Sequence, residues 1–234
     1  DHFYQRLFRT VAVPDNLASV TDRDTAAEVD PRSADLDPAA VDAIWDACQN
    51  LYRSGVYPLL SLCLRRRGTI VLNRSLGHYR EGEVASVTTP ICLFSASKAV
   101  SAVVVHLLAE QGEINLLNPV SYYIPAFAAK GKGGITLLQL LTHRGGIADV
   151  PNDIELELLY DHDAALQLIC EAQPTDHQGR IQAYHAITTG FIFNELIKVT
   201  TGLDAQQYLD RYIRKPMGMR YFRYGLTKRD QARV

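Results

Sequence analysis

Ser95-Ala96-Ser97-Lys98 places a hydroxyl and an amine three residues apart at the start of a strongly apolar segment. On a helix, positions three apart share a face, so the two groups can meet. A serine is a weak nucleophile until a neighbouring base takes its proton. A lysine can act as that base only if burial or nearby positive charge lowers its pKa. An apolar helix buried at its N-terminus suits both needs, and its free N–H groups and the positive end of its dipole favour a developing oxyanion at Ser95. By spacing alone S-x-x-K is a weak signal, and its surroundings must carry the reading. Asp161-His162-Asp163 has the residue types of a metal site but lacks a second histidine at helical spacing. It reads as the cap of the helix that follows, and no metal or cofactor is expected.

The segment bearing Ser95 and Lys98 is predicted to be a helix over 95–112, with Val100, Val103, Val104, Leu107 and Leu108 on its apolar face and Gln111-Gly112 as its end. Upstream, Asp37-Pro38 opens a helix carrying Val41, Ile44, Trp45, Cys48 and Leu51, which Gly55 closes. Two short apolar runs, 57–64 and 69–76, flank Arg65-Arg66-Arg67-Gly68 and predict an antiparallel hairpin. Downstream, helical patterns cover the stretch after Asn118-Pro119, Thr136–Leu141, and residues 163–172, 186–201 and 204–214. Residues 1–35 read as a surface-hugging lead-in, and 36–234 as one continuous domain with strands early and helices after.

The 234 residues are 47% hydrophobic and 21% charged, a globular composition, with a formal net charge of -2. That balance gives no reason to expect nucleic acid or an anionic membrane as partner. The chain has no apolar run long enough to span a membrane, and it opens at Asp1-His2-Phe3 without a signal-peptide pattern or an initiator Met. A cytoplasmic location is favoured over an exported one. Cys48, Cys63, Cys92 and Cys170 are widely spaced and read as buried free thiols.

Several segments in order resemble the serine β-lactamase and penicillin-binding-protein superfamily, especially its class C and esterase branches. They are the hairpin with Arg67-Gly68 and Leu76-Gly77, then Ser95-x-x-Lys98, Leu107–Ile114, Asn118–Pro125, Ile135–Ile147 and Pro216-Met217-Gly218-Met219. The resemblance implies an α/β (α+β) fold: an antiparallel sheet flanked by helices, a mostly helical second lobe, and Ser95 at the crevice between them. It implies Ser95 as nucleophile, Lys98 as its base partner, and Tyr184 as proton acceptor or relay, its phenol needing a depressed pKa. His185, next to Tyr184, is a candidate for substrate binding. His143 is expected to be a structural histidine bonding its own loop.

Two departures from the family pattern matter. Tyr184-His185-Ala186 keeps the tyrosine of the Tyr-x-Asn motif and loses the asparagine, and no K-T-G or H-x-G triplet follows Met219. The expected activity is therefore that of a serine hydrolase acting through an acyl-enzyme on a small-molecule ester or amide, esters being favoured. β-Lactam or D-amino-acid peptide hydrolysis, and an inactive relative serving as a binding module, are the alternatives. The chain is read as C-terminally incomplete relative to the family.

Overall fold

In the computed structural model of the chain, residues 11–148, 156–176 and 179–231 are described. The chain divides into two compact units, Asp1–Ile91 with Arg229–Val234, and Cys92–Lys228. Among the described residues, no helix is long and apolar enough to cross a membrane.

The first unit is a small antiparallel sheet with one long helix. Strand β1 (Thr21–Arg23) pairs with β3 (Thr69–Arg80), which pairs in turn with β2 (Leu59–Arg66); β4 (Glu83–Val84) also pairs with β3. The β2–β3 hairpin runs in register from Leu59 opposite Gly77 to Arg66 opposite Thr69, with an irregularity at Leu64/Arg65. Its turn is Arg67-Gly68, both at positive φ (49° and 83°), which matches the twist of the strands it joins. Helix α1 (Pro38–Arg53) is capped by Asp37, whose carboxylate accepts the Ala39 N–H at 3.0 Å, with Pro38 at the first helical position. Its Val41 and Tyr52 are buried.

The lead-in contributes more than a surface wrap. Leu17 and Val20 are buried in a cluster with Tyr52 and Leu76, and residues 21–23 form β1. Residues 1–10 of the lead-in lie outside the described residues. Beside β1, Glu28 is nearly sealed from solvent and accepts two bonds from Arg74 (2.9 and 3.1 Å) and one from the Asn73 N–H (2.8 Å).

The second unit is helical: α2 (Ser97–Glu110), α3 (Val120–Tyr123), α4 (Leu137–Leu141), α5 (His162–Glu171), α6 (Thr188–Thr201) and α7 (Ala205–Leu209). Val104, Val105 and Leu108 of α2 meet Leu137, Leu140, Ile192 and Leu196 in one buried cluster, although Val103, expected on that face, is 58% exposed. Caps fix the helix starts. Thr136 with Gln139 and Asp204 with Gln207 form reciprocal capping boxes, and Asp161 accepts the N–H groups of Asp163 and Ala164. The Asp161-His162-Asp163 run is thus a helix start. Lys132 is fully buried, its ammonium donating to the carbonyls of Ala129, Cys170 and Ala172 at 2.7–2.8 Å. Of the four cysteines, all free, Cys170 alone is buried; Cys48 is half-buried and Cys63 and Cys92 are exposed, contrary to the expectation for them.

Candidate active site

Ser95, Lys98 and Tyr184 all belong to the second unit. Ser95 does not sit inside α2 as its periodicity suggests. It lies in a single 3-10 turn, Phe94–Ala96, that leads into the helix, while Lys98 is the helix's second residue. The turn is tied by the Ala96 N–H donating to Leu93 O at 3.0 Å and by the Ser97 hydroxyl donating to Phe94 O at 2.6 Å. Phe94, immediately before the nucleophile candidate, adopts φ +45°, a conformation that costs a bulky residue energy and persists only where its surroundings enforce it. Ser95 is exposed and Lys98 half-buried, so the helix start is more open than the sequence suggests.

The Lys98 ammonium donates to Ser95 Oγ at 3.4 Å, a long contact of the kind that catalytic groups show before substrate binds. The same nitrogen lies 4.9 Å from the centre of the Tyr184 ring. The Ser95 hydroxyl, and after it the Lys98 ammonium, hold the Tyr184 phenol below the ordinary tyrosine range. Both act by favouring the charged form, through hydrogen bonding and through opposite charge. The structure therefore brings together the three residues picked out from the sequence, with the Tyr184 phenol lowered by its two neighbours.

His185 is a different case. It is fully buried, its Nδ1 is 2.6 Å from Ala183 O, and its Nε2 accepts the Ile147 N–H at 3.2 Å. Both ring nitrogens face backbone groups, so the expectation that His185 contacts substrate is corrected: it is an internal strut. Its space depends on Gly145, where a Cβ would stand 3.2 Å from His185 Nε2 and 2.3 Å from a Leu140 methyl. Gly146, at φ +69°, similarly lets the Asp176 carbonyl approach.

His143 bonds well beyond its own loop. It follows α4 at φ +58°, its carbonyl accepts the Ala183 N–H at 2.9 Å, and its Nδ1 accepts the His185 N–H at 3.1 Å. Nothing in the order of residues announces a contact across forty positions. The positive φ of a non-glycine residue is the sign, and it is visible only in the fold.

Next to this group opens a cavity of about 430 Å³. Lys98 and His143 lie on its wall together with the apolar side chains of Leu140, Leu141, Ile187, Phe191 and Phe193, and with Gly190. A hydroxyl and a phenol meeting one ammonium beside an apolar chamber can accept an acyl group from an apolar donor.

The beta-lactamase family model matches residues 40–234. Among curated proteins, the esterase/beta-lactamase LipL of Mycobacterium tuberculosis is 33% identical over 125 residues, 53% of this chain and 29% of its own length. Among solved structures, a family VIII carboxylesterase superposes with a TM-score of 0.73 at 29% identity, covering 82% of this chain and 53% of that one. A penicillin-binding-protein homologue from Caulobacter crescentus gives 0.76 at 24% identity, covering 85% and 54%, a likeness of fold. The chain thus spans about half the length of these solved structures and under a third of LipL. With the family model covering most of its residues, the chain belongs to the beta-lactamase family.

Proposed function

We propose that this protein is a serine hydrolase that cleaves carboxylic esters through an acyl-enzyme. The observation that carries the reading is the meeting of Ser95, Lys98 and Tyr184, with the Tyr184 phenol acidified by its two neighbours. In the proposed sequence the Tyr184 phenolate, held by the Lys98 ammonium, takes the Ser95 proton as Oγ attacks the ester carbonyl. Backbone N–H groups, that of Ser95 among them, receive the oxyanion. Collapse of the tetrahedral adduct breaks the bond to the alcohol, which leaves with the proton now on Tyr184. Water, deprotonated by the same phenolate, then attacks the acyl-enzyme and returns Ser95.

Two features favour esters over β-lactams. Ala186 stands where the Tyr-x-Asn motif has an asparagine, so the side-chain amide that would meet an amide substrate is missing. The cavity beside Lys98 is walled mainly by hydrocarbon, which suits an apolar acyl chain. The name of LipL joins esterase and beta-lactamase, so both leaving groups belong in the test.

The test is intact mass spectrometry of the protein before and after a fluorophosphonate, with parallel assays on a p-nitrophenyl ester and a chromogenic cephalosporin. A single adduct on Ser95, absent from Lys98→Ala, and ester turnover exceeding cephalosporin turnover are expected. A folded protein that takes no adduct would show a binding module instead.

A further inference from the structure

We infer that His143 is the positioning residue that holds Tyr184 in register with Ser95 and Lys98, an inference that rests on the acyl-enzyme reading above. Its two bonds land on either side of the tyrosine: the carbonyl takes the N–H of Ala183 and the imidazole Nδ1 takes the N–H of His185. The backbone of Tyr184 is thereby gripped by a single residue before and after its Cα, and the direction of its side chain is set between the two grips. The rings reinforce this, with the His143 centroid 5.0 Å from that of Tyr184 and stacked 5.7 Å from that of His185.

The grip requires an unusual backbone. At φ +58° His143 turns its carbonyl and its side chain toward the same passing segment, an arrangement a residue in a helix or strand would not make. His185 then locks the second half: its Nδ1 meets Ala183 O and its Nε2 accepts from Ile147 N–H. The Gln182 amide donates to Thr142 O at 3.3 Å. Residues 182–185 are stitched to residues 142–147, and His143 is the stitch that brackets the phenol. Because Nδ1 is an acceptor, the network assigns the ring proton to Nε2, and the grip needs the neutral imidazole.

Catalysis tolerates little error in such a group, since a displacement of about 1 Å costs about a hundredfold in rate. Asparagine is the informative substitute, because its Oδ1 reaches about as far as Nδ1 and it tolerates positive φ. Glycine keeps the backbone conformation and removes the acceptor. Glutamine keeps much of the volume and moves the acceptor one methylene outward.

The experiment compares His143→Gly, His143→Gln and His143→Asn in the intact protein. It measures the rate of fluorophosphonate attachment to Ser95, kcat and KM for an ester, and the thermal midpoint. Each variant is then repeated in a Tyr184→Phe background. The expected result is a loss of about a hundredfold in attachment rate and kcat for Gly and Gln, far larger than any change in KM from altering the cavity wall, with most of the rate kept in Asn. In the Tyr184→Phe background the same changes should cost almost nothing, because the residue acts through the phenol. Equal losses for Asn and Gln, or undiminished losses in the Tyr184→Phe background, would overturn the inference. Failure of the parent protein to label at Ser95 would instead overturn the acyl-enzyme reading, which separates the two.

Discussion

Tyr184 owes its low proton affinity to the Ser95 hydroxyl first and the Lys98 ammonium second, and both leave a signature in pH. A phenol held below its ordinary value of about 10 is ionised at lower pH than a free tyrosine. If the phenolate is the base, kcat/KM for an ester rises with pH through an inflection below that value. Tyr184→Phe should remove the limb and cost about 10²- to 10⁴-fold in kcat. A pH profile unchanged in Tyr184→Phe would sink the assignment. At Gly190 the cavity offers a second handle, because a Cβ there meets no atom within 4 Å and the residue lies in the first turn of α6. Gly190→Leu fills that space without opposing the helix. It should lower kcat/KM for a p-nitrophenyl octanoate relative to the acetate by about tenfold, as chain-length competition assays would read. That Ser95, Lys98 and Tyr184 lie together was legible only from the motifs in order around them, since the S-x-x-K spacing alone is a weak signal. His185 was misread because adjacency in sequence says nothing of direction, and it points into the protein while Tyr184 stays half-exposed.

At the scale of elements, helix ends were the most legible features because their caps are written locally: Asp37-Pro38, Thr136 with Gln139, and Asp161 each begin a helix as their chemistry dictates. What was not legible was the pairing of distant segments. Strand β1 has three residues and shows no period, so only its ladder with β3 reveals it. Glu28 belongs to the same class. Burial works against its charge, but the Arg74 bonds, the Asn73 N–H and the Arg23 charge prevail and lower its pKa. A carboxyl lowered on folding adds stability above its unfolded value, and that stability is lost as pH falls through the folded value. Glu28→Gln leaves Arg74 without its charge partner and should cost about 3 kcal/mol of stability, with a smaller acid-side decline in the thermal midpoint than the parent shows. Nothing in Lys130-Gly131-Lys132 distinguishes one lysine from the other. In the fold the Lys132 ammonium closes the carboxyl end of α5, so Lys132→Met, which strands three carbonyls, should lower the midpoint of the second unit, while Lys130→Met should not.

Over the chain as a whole, the strands-early, helices-after order was readable because strands and helices differ in period and most helices follow the last strand, α1 between β1 and β2 being the exception. The division at Ile91/Cys92 was not, since no change of composition marks it and the lead-in packs into the first unit. The charge of the chain has a consequence of its own. With 24 basic and 26 acidic side chains it is weakly anionic near neutrality and offers an anionic substrate no long-range attraction. A p-nitrophenyl ester is neutral, whereas a cephalosporin carries a carboxylate. Encounter with the ester should therefore be indifferent to salt, and encounter with the cephalosporin should be hindered where screening is weakest. Between about 0.01 and 0.15 M salt the Debye length falls from about 30 to about 8 Å, so the range spans strong and weak long-range fields. In a protein of this sequence, kcat/KM for the ester should stay flat across that range, while any cephalosporin turnover should start lower and rise. A cephalosporin rate that falls with added salt would mean that a local cation at the site outweighs the field of the chain. In that case the preference for esters would rest on Ala186 and the apolar cavity alone.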